Sequence, residues 1–82
     1  MQKVDVELLR IKGLLEERGE QHGDYNKMGL DYFANGINIK TARVQHGMSK
    51  ILTGKIELTE SEQDSVRDLA GYCILLLAKL QK

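Results

Sequence analysis

Apolar residues recur along this chain at a spacing near 3.6, and β-branched residues never alternate with polar ones for long, so the pattern predicts helices throughout. In the first segment Val4, Leu8, Ile11 and Leu15, with Leu14 beside them, form one stripe. That helix is expected to stop around Arg18-Gly19, because glycine readily takes the left-handed cap conformation. A second apolar set comprises Met28, Tyr32 and Phe33, then Ile37, Val44, Met48, Ile51 and Leu52, ending at Gly54. It reads either as one long helix or as two with a kink at Asn35-Gly36. The stretch Lys55 to Ser61 reads as a connector, in which Thr59 with Glu62, or Ser61 with Asp64, has the form of an N-terminal capping pair. A last helix is predicted from about Glu62 to Leu80. Its wide apolar face is Val66, Leu69, Ala70, Cys73, Leu76, Leu77 and Leu80. Leu75 falls almost opposite the centre of that face, as a candidate subunit contact or as an ordinary exposed leucine.

The architecture expected from this pattern is a single all-α domain over residues 1–82, a three- to four-helix bundle without internal repeats. A chain of 82 residues buries a modest share of its surface, so pairing with copies of itself is expected too.

Composition narrows the function classes. Twelve acidic and twelve basic side chains give a formal net charge of zero, with no block of one sign, so general attraction to nucleic acid is not indicated. The longest apolar run, Cys73 to Ala78, is far shorter than the ~20 residues of a membrane span, and no apolar signal core opens the chain. The single Cys73 cannot form an internal disulfide, and it sits in an apolar run as a small core residue would. A soluble protein of the reducing cytoplasm is the expectation.

Three places could carry chemistry. Between the first two helices, QHGDYNK (Gln21 to Lys27) reads as a turn at Gly23 followed by a cap at Asp24 or Asn26, which leaves His22 and Tyr25 unexplained. On the last helix Asp64 and Asp68 share a face, with Tyr72 continuing the row, and like charges at this spacing repel by roughly 0.2 to 0.5 kcal/mol. A Mg²⁺ ion would offset that repulsion; so would Arg67 beside one carboxylate, with Asp64 favoured at the helix start. On the middle helix Lys40, Arg43 and Lys50 fall on one side, either to hold a phosphate or as a solvated flank whose stems cover apolar surface. His46 lies beyond that strip, and without a second ligand at metal spacing no zinc site is expected.

RGEQHGDY, the helix end KILTGK and DSVRDLAGY together resemble a group of small, mostly uncharacterised bacteriophage and prophage proteins. These carry an HGD(Y/F) segment, a K-x-x-RIL-x-G-like helix end and a D-x-W-x-D-x-AGY helix. The group is similar at a distance to MazG-type all-α nucleoside triphosphate pyrophosphohydrolases. Along the chain from about Leu14 to Leu80, His22, Gly23, Asp24 and Tyr25 match the first motif. Lys50 and Gly54 match the second, and Asp64, Asp68, Gly71 and Tyr72 the third. MazG-type enzymes hold Mg²⁺ with E-x-x-E and E-x-x-D pairs on successive helices. Here Asp68 stands for the last acid but is preceded at that spacing by Ser65, and the middle helix offers Lys40, Arg43 and Lys50 in place of acids. Glu17 and Glu20 have E-x-x-E spacing across the expected end of the first helix, and Val66 stands near where the group has an aromatic.

The resemblance implies a MazG-like nucleotide-binding site. His22 and Asp68 would be catalytic, Asp24, Tyr25, Lys50 and Tyr72 would contact a nucleotide or phosphate ligand, and Asp24, Asp64 and Asp68 would hold Mg²⁺. If catalysis occurs, the metal would direct water at a phosphorus and stabilise the pyrophosphate leaving group. The alternative is a non-enzymatic oligomeric phage accessory protein that binds a host protein or sequesters a nucleotide signal.

Overall fold

The computed structural model describes residues 2–22, 27–55 and 57–81, and for residues 20–22 the backbone without side chains. Three helices follow one another: α1 (Lys3–His22), α2 (Leu30–Leu52) and α3 (Glu60–Leu80), with no strand among the described residues. No helix among them is long and apolar enough to cross a membrane.

Local chemistry sets the helix ends. At the close of α2, Gly54 takes φ 94°, the left-handed conformation that glycine adopts without a Cβ penalty. Its N–H donates to the Ile51 carbonyl at 3.0 Å, and the Lys55 N–H donates to Lys50 at 2.9 Å. These two bonds make a Schellman motif that satisfies carbonyls the helix end would leave open. Of the two capping pairs offered by the sequence, Thr59 with Glu62 forms. The Glu62 N–H donates to Thr59 Oγ1 at 3.1 Å, and the Thr59 N–H donates to Glu62 Oε1 at 3.0 Å.

Two expectations about helix length resolve differently. α2 is one continuous helix through Asn35-Gly36. α1 continues past Arg18-Gly19 to His22, because Gly19 keeps a negative φ and the helix does not cap there. Glycine permits a stop without imposing one.

α2 and α3 form an antiparallel hairpin, since Gly36 meets Tyr72, Lys40 meets Asp68 and Lys50 meets Glu62, with numbers rising on one helix as they fall on the other. α1 touches α3 over a shorter stretch. Glu7 and Arg18, some 16 Å apart along α1 at 1.5 Å per residue, contact the neighbouring residues Arg67 and Asp68. α1 therefore runs across α3 and not beside it. Gly71 is buried at the crossing, where a Cβ would stand 3.2 Å from Leu15 Cδ2.

The apolar faces sit otherwise than the stripe pattern suggests. Val4 and Leu8 are 67% and 55% exposed, and α1 grips α3 through Glu7, Leu15 and Arg18. On α3, Leu77 is 63% exposed and Leu80 is exposed as well, whereas Leu75 is half-buried. Leu69, Ala70, Cys73 and Leu76 of the expected apolar face are half-buried like Leu75, whereas Val66, Leu77 and Leu80 of that face are exposed. The flank bearing Asp68 and Tyr72 turns inward because ion pairs and the Gly36 notch receive it, and that rotation leaves the Leu77 side open. Among the described residues Phe33 is the one fully buried hydrophobic side chain.

Candidate functional site

The three helices meet at Asp68. Its Oδ1 accepts a bond from Arg18 Nη2 of α1, and its Oδ2 lies 3.0 Å from Lys40 Nζ of α2. The Asp68 side chain is 13% exposed, so these charges interact with less solvent screening than a surface pair. One turn further along α3, the Tyr72 ring lies against Gly36 and is tilted 58° to the Tyr32 ring, with centroids 6.3 Å apart. Tyr32 in turn meets Phe33 edge-on at 5.4 Å. Partial burial, and then the neighbouring Tyr72, push the Tyr32 hydroxyl above its ordinary range.

Lys50 is drawn to a different acid. Its Nζ donates to Glu62 Oε1 at 2.8 Å, and this bond, helped by the Thr59 N–H, lowers the Glu62 carboxyl to about 2. Glu62 Oε2 is buried without a hydrogen-bond donor among the described residues.

A third cluster joins α1 to the start of α3. Arg67 donates from Nε to Glu7 Oε2 at 2.8 Å and from Nη2 to Glu7 Oε1 at 3.1 Å, a bidentate grip. Its remaining nitrogen Nη1 reaches Asp64 Oδ1 at 2.9 Å. The Arg67 bond holds the Glu7 carboxyl below its ordinary range. Beside this cluster lies an open cleft of about 600 Å³ between α1 and α3, lined by Arg10, Glu17, Glu60, Asp64 and Arg67 among others.

The residues singled out in the sequence are therefore distributed over distinct places. Asp68 and Tyr72 share the three-helix junction with Lys40, Lys50 lies further along the hairpin, and Asp64 faces the Arg67 cluster. Asp24, Tyr25, Gly23 and the side chain of His22 lie outside the described residues. The described end of α1 does reach the acidic flank of α3, through Arg18. Arg43 and His46 are exposed, so the strip of Lys40, Arg43 and Lys50 divides between two acids and solvent. Among the described residues no three His, Cys, Asp or Glu side chains gather closely enough to hold a metal ion. A divalent cation at Asp68 would have to displace Arg18 or Lys40.

Sequence reasoning did not find Arg18, Glu7 or Glu62 as partners in these clusters. Arg18 and Glu7 are 50 and 60 positions from Asp68 and Arg67, and no local spacing signals such a pairing. Glu62 was visible as a cap residue only.

The described residues form three helices and no strand, laced together by polar side chains. No family model, curated protein or solved structure matches the chain.

Proposed function

We propose that this chain is a non-enzymatic helical accessory module of the phage and prophage type it resembles. It works by protein contact, with copies of itself and, through the assembled surface, with a host protein. The observation that carries the reading is the distribution of apolar side chains. Phe33 is fully buried, whereas thirteen large hydrophobic residues among those described are exposed. A hairpin crossed by one helix encloses little, and burying that surface against other protein would stabilise the chain. The acids support the same reading: Asp68, Asp64 and Glu62 each hold a cation of this chain and tie helices or turns together.

One observation favours a second reading. Arg18 and Lys40 converge on Asp68 beside the Tyr32 and Tyr72 rings, a concentration of donors that suits a nucleotide phosphate. On that reading Lys50 would add a cation, Asp24, Asp64 and Asp68 would hold Mg²⁺ and His22 would assist, as in a MazG-like pyrophosphohydrolase.

Magnesium-dependent release of pyrophosphate from a panel of nucleoside triphosphates separates the two. The module reading expects neither turnover nor a rise in melting temperature with nucleotide. Turnover that disappears in Asp68→Asn would overturn it.

A further inference from the structure

α1 is fastened to the α2–α3 hairpin largely by charge. Glu7 is gripped by two nitrogens of Arg67, and Arg18 reaches Asp68. Apolar packing at the crossing is incomplete. Leu15 lies over Gly71, where no side chain meets it, and its neighbours on α1 border open space. Leu14 lines the cleft of about 600 Å³, and Ile11 lines a second hollow of about 290 Å³ together with Leu58, Val66 and Ala70. Both hollows border Arg67. Val4, Leu8 and Leu9 are more than half exposed.

The charged groups at this crossing have second partners on their own side of it. Arg67 also holds Asp64 of its own helix at 2.9 Å, and Asp68 also holds Lys40 of the hairpin at 3.0 Å. Glu7 has Arg10 one turn along α1 at 3.2 Å. Each of these three would keep a partner if α1 left, and Arg18, 32% exposed where it stands, already lies beside water. Breaking an ion pair is costly chiefly where it strands a buried charge. Undocking of α1 strands none of these. Parting α2 from α3 is a different matter, since it would uncover Phe33, empty the Gly36 notch of the Tyr72 ring and pull Lys50 from Glu62.

We infer that α1 is a latch on the hairpin, undocking as a unit while α2 and α3 stay paired, and that ionic strength sets how far it is open. Salt screens the Glu7–Arg67 and Arg18–Asp68 pairs through their exposed Glu7 and Arg18 ends, and leaves the apolar contacts of the hairpin in place. Opening has a defined consequence for the surface. Half-buried Ile11 and Leu15 join exposed Val4 and Leu8 in one apolar stripe on α1, and Gly71 is uncovered on α3. The latch therefore governs how much apolar surface the chain presents. It goes beyond the accessory-module reading and holds equally if the chain binds a nucleotide.

Amide hydrogen exchange of the full chain at about 0.01 M and about 1 M NaCl, followed residue by residue by NMR, tests this. Between those conditions the screening length falls from about 30 Å to about 3 Å. A released α1 carries Gly13 and Gly19 in its interior and stands alone in water, so it frays and its amides report undocking. From Glu7 to Arg18 they should exchange about 10-fold faster in high salt, while those around Phe33 and Tyr72 change by less than about 2-fold. Gly71→Leu supplies an independent wedge, since among the described residues a Cβ at that position meets Leu15 of α1 and no other side chain within 4 Å. It should strip protection from α1 at either salt concentration and leave the hairpin protected. An equal effect of salt on all three helices, or none on α1, overturns the inference. So does a Gly71→Leu chain that keeps α1 protected, or one that loses the hairpin along with it.

Discussion

The ring of Tyr72 occupies the space that a side chain at Gly36 would need: a Cβ there would stand 2.6 Å from Tyr72 Cε1 and 2.8 Å from Cζ. Glycine in mid-helix costs about 1 kcal/mol relative to alanine, yet α2 carries it unbroken. The close approach of α2 and α3 at this point explains why.

Gly36→Ala should therefore destabilise the fold in spite of the better helix propensity of alanine. Overpacking of this kind costs about 1–3 kcal/mol, less the propensity gain of about 1 kcal/mol. Urea unfolding followed by helical ellipticity reads the difference. A variant more stable than the parent would show that the Tyr72 ring moves aside freely.

Asp68→Asn removes the charge shared by Arg18 and Lys40 and leaves both cations facing a neutral amide. Because Asp68 is mostly buried while its partners are partly exposed, the cost lies between that of surface and buried pairs, about 1–3 kcal/mol. The loss should be smaller when Lys40→Met or Arg18→Met is already present, since the pairs are coupled. Additive losses in that double-mutant cycle would deny the three-way junction its cooperative role.

How much of this was legible in the sequence follows from the range of the interactions involved. The Thr59–Glu62 cap and the stop at Gly54 are local, and both could be read from a few neighbouring residues. The three helices followed from periodicity, and their inward faces only in part: Ile11, Leu15, Phe33, Val44 and Leu69 are buried or half-buried, whereas Val4, Leu8, Leu77 and Leu80 are exposed. Which side of α3 turns inward depends on Gly36 accepting Tyr72 and on Arg18 and Lys40 reaching Asp68, contacts between distant parts of the chain. Of the seven residues that apolar patterning places on the inward face of α3, Leu69, Ala70, Cys73 and Leu76 are half-buried, whereas long-range polar contacts and a glycine notch turn the helix so that Val66, Leu77 and Leu80 stay exposed. For Asp64 the partner Arg67 lies three residues away and could be read from the sequence, whereas Arg18 and Lys40, which hold Asp68, are distant in the chain and could not.

Stability should fall at acid pH in a way that depends on Glu62. Its carboxyl drops from an ordinary value of 4.5 to about 2 in the folded chain, chiefly through the Lys50 bond. A lowered folded value means that ionised Glu62 stabilises the native state above pH 4.5 and loses that contribution as pH falls from there through about 2. Glutamine keeps the capping geometry without the charge, so Glu62→Gln should melt lower than the parent at neutral pH. The two melting curves should converge with acid. A constant gap across the titration would place the effect in packing and not in the Lys50 pair.

Arg67 is the main polar bond between α1 and the hairpin, gripping Glu7 with two nitrogens while a third holds Asp64 on its own helix. The apolar contribution at that crossing is modest, since Val4 and Leu8 of α1 stay exposed and Gly71 offers no side chain to Leu15. Arg67→Ala should therefore loosen α1 selectively. Amide hydrogen exchange in the first half of α1 should quicken by about 10-fold or more, the equivalent of some 1.4 kcal/mol of local stability. The Phe33–Tyr72 region of α2 and α3 should keep its protection, because it packs through Gly36 and the aromatic rings without Arg67. Uniform acceleration over all three helices would mean that α1 and the hairpin unfold as one unit.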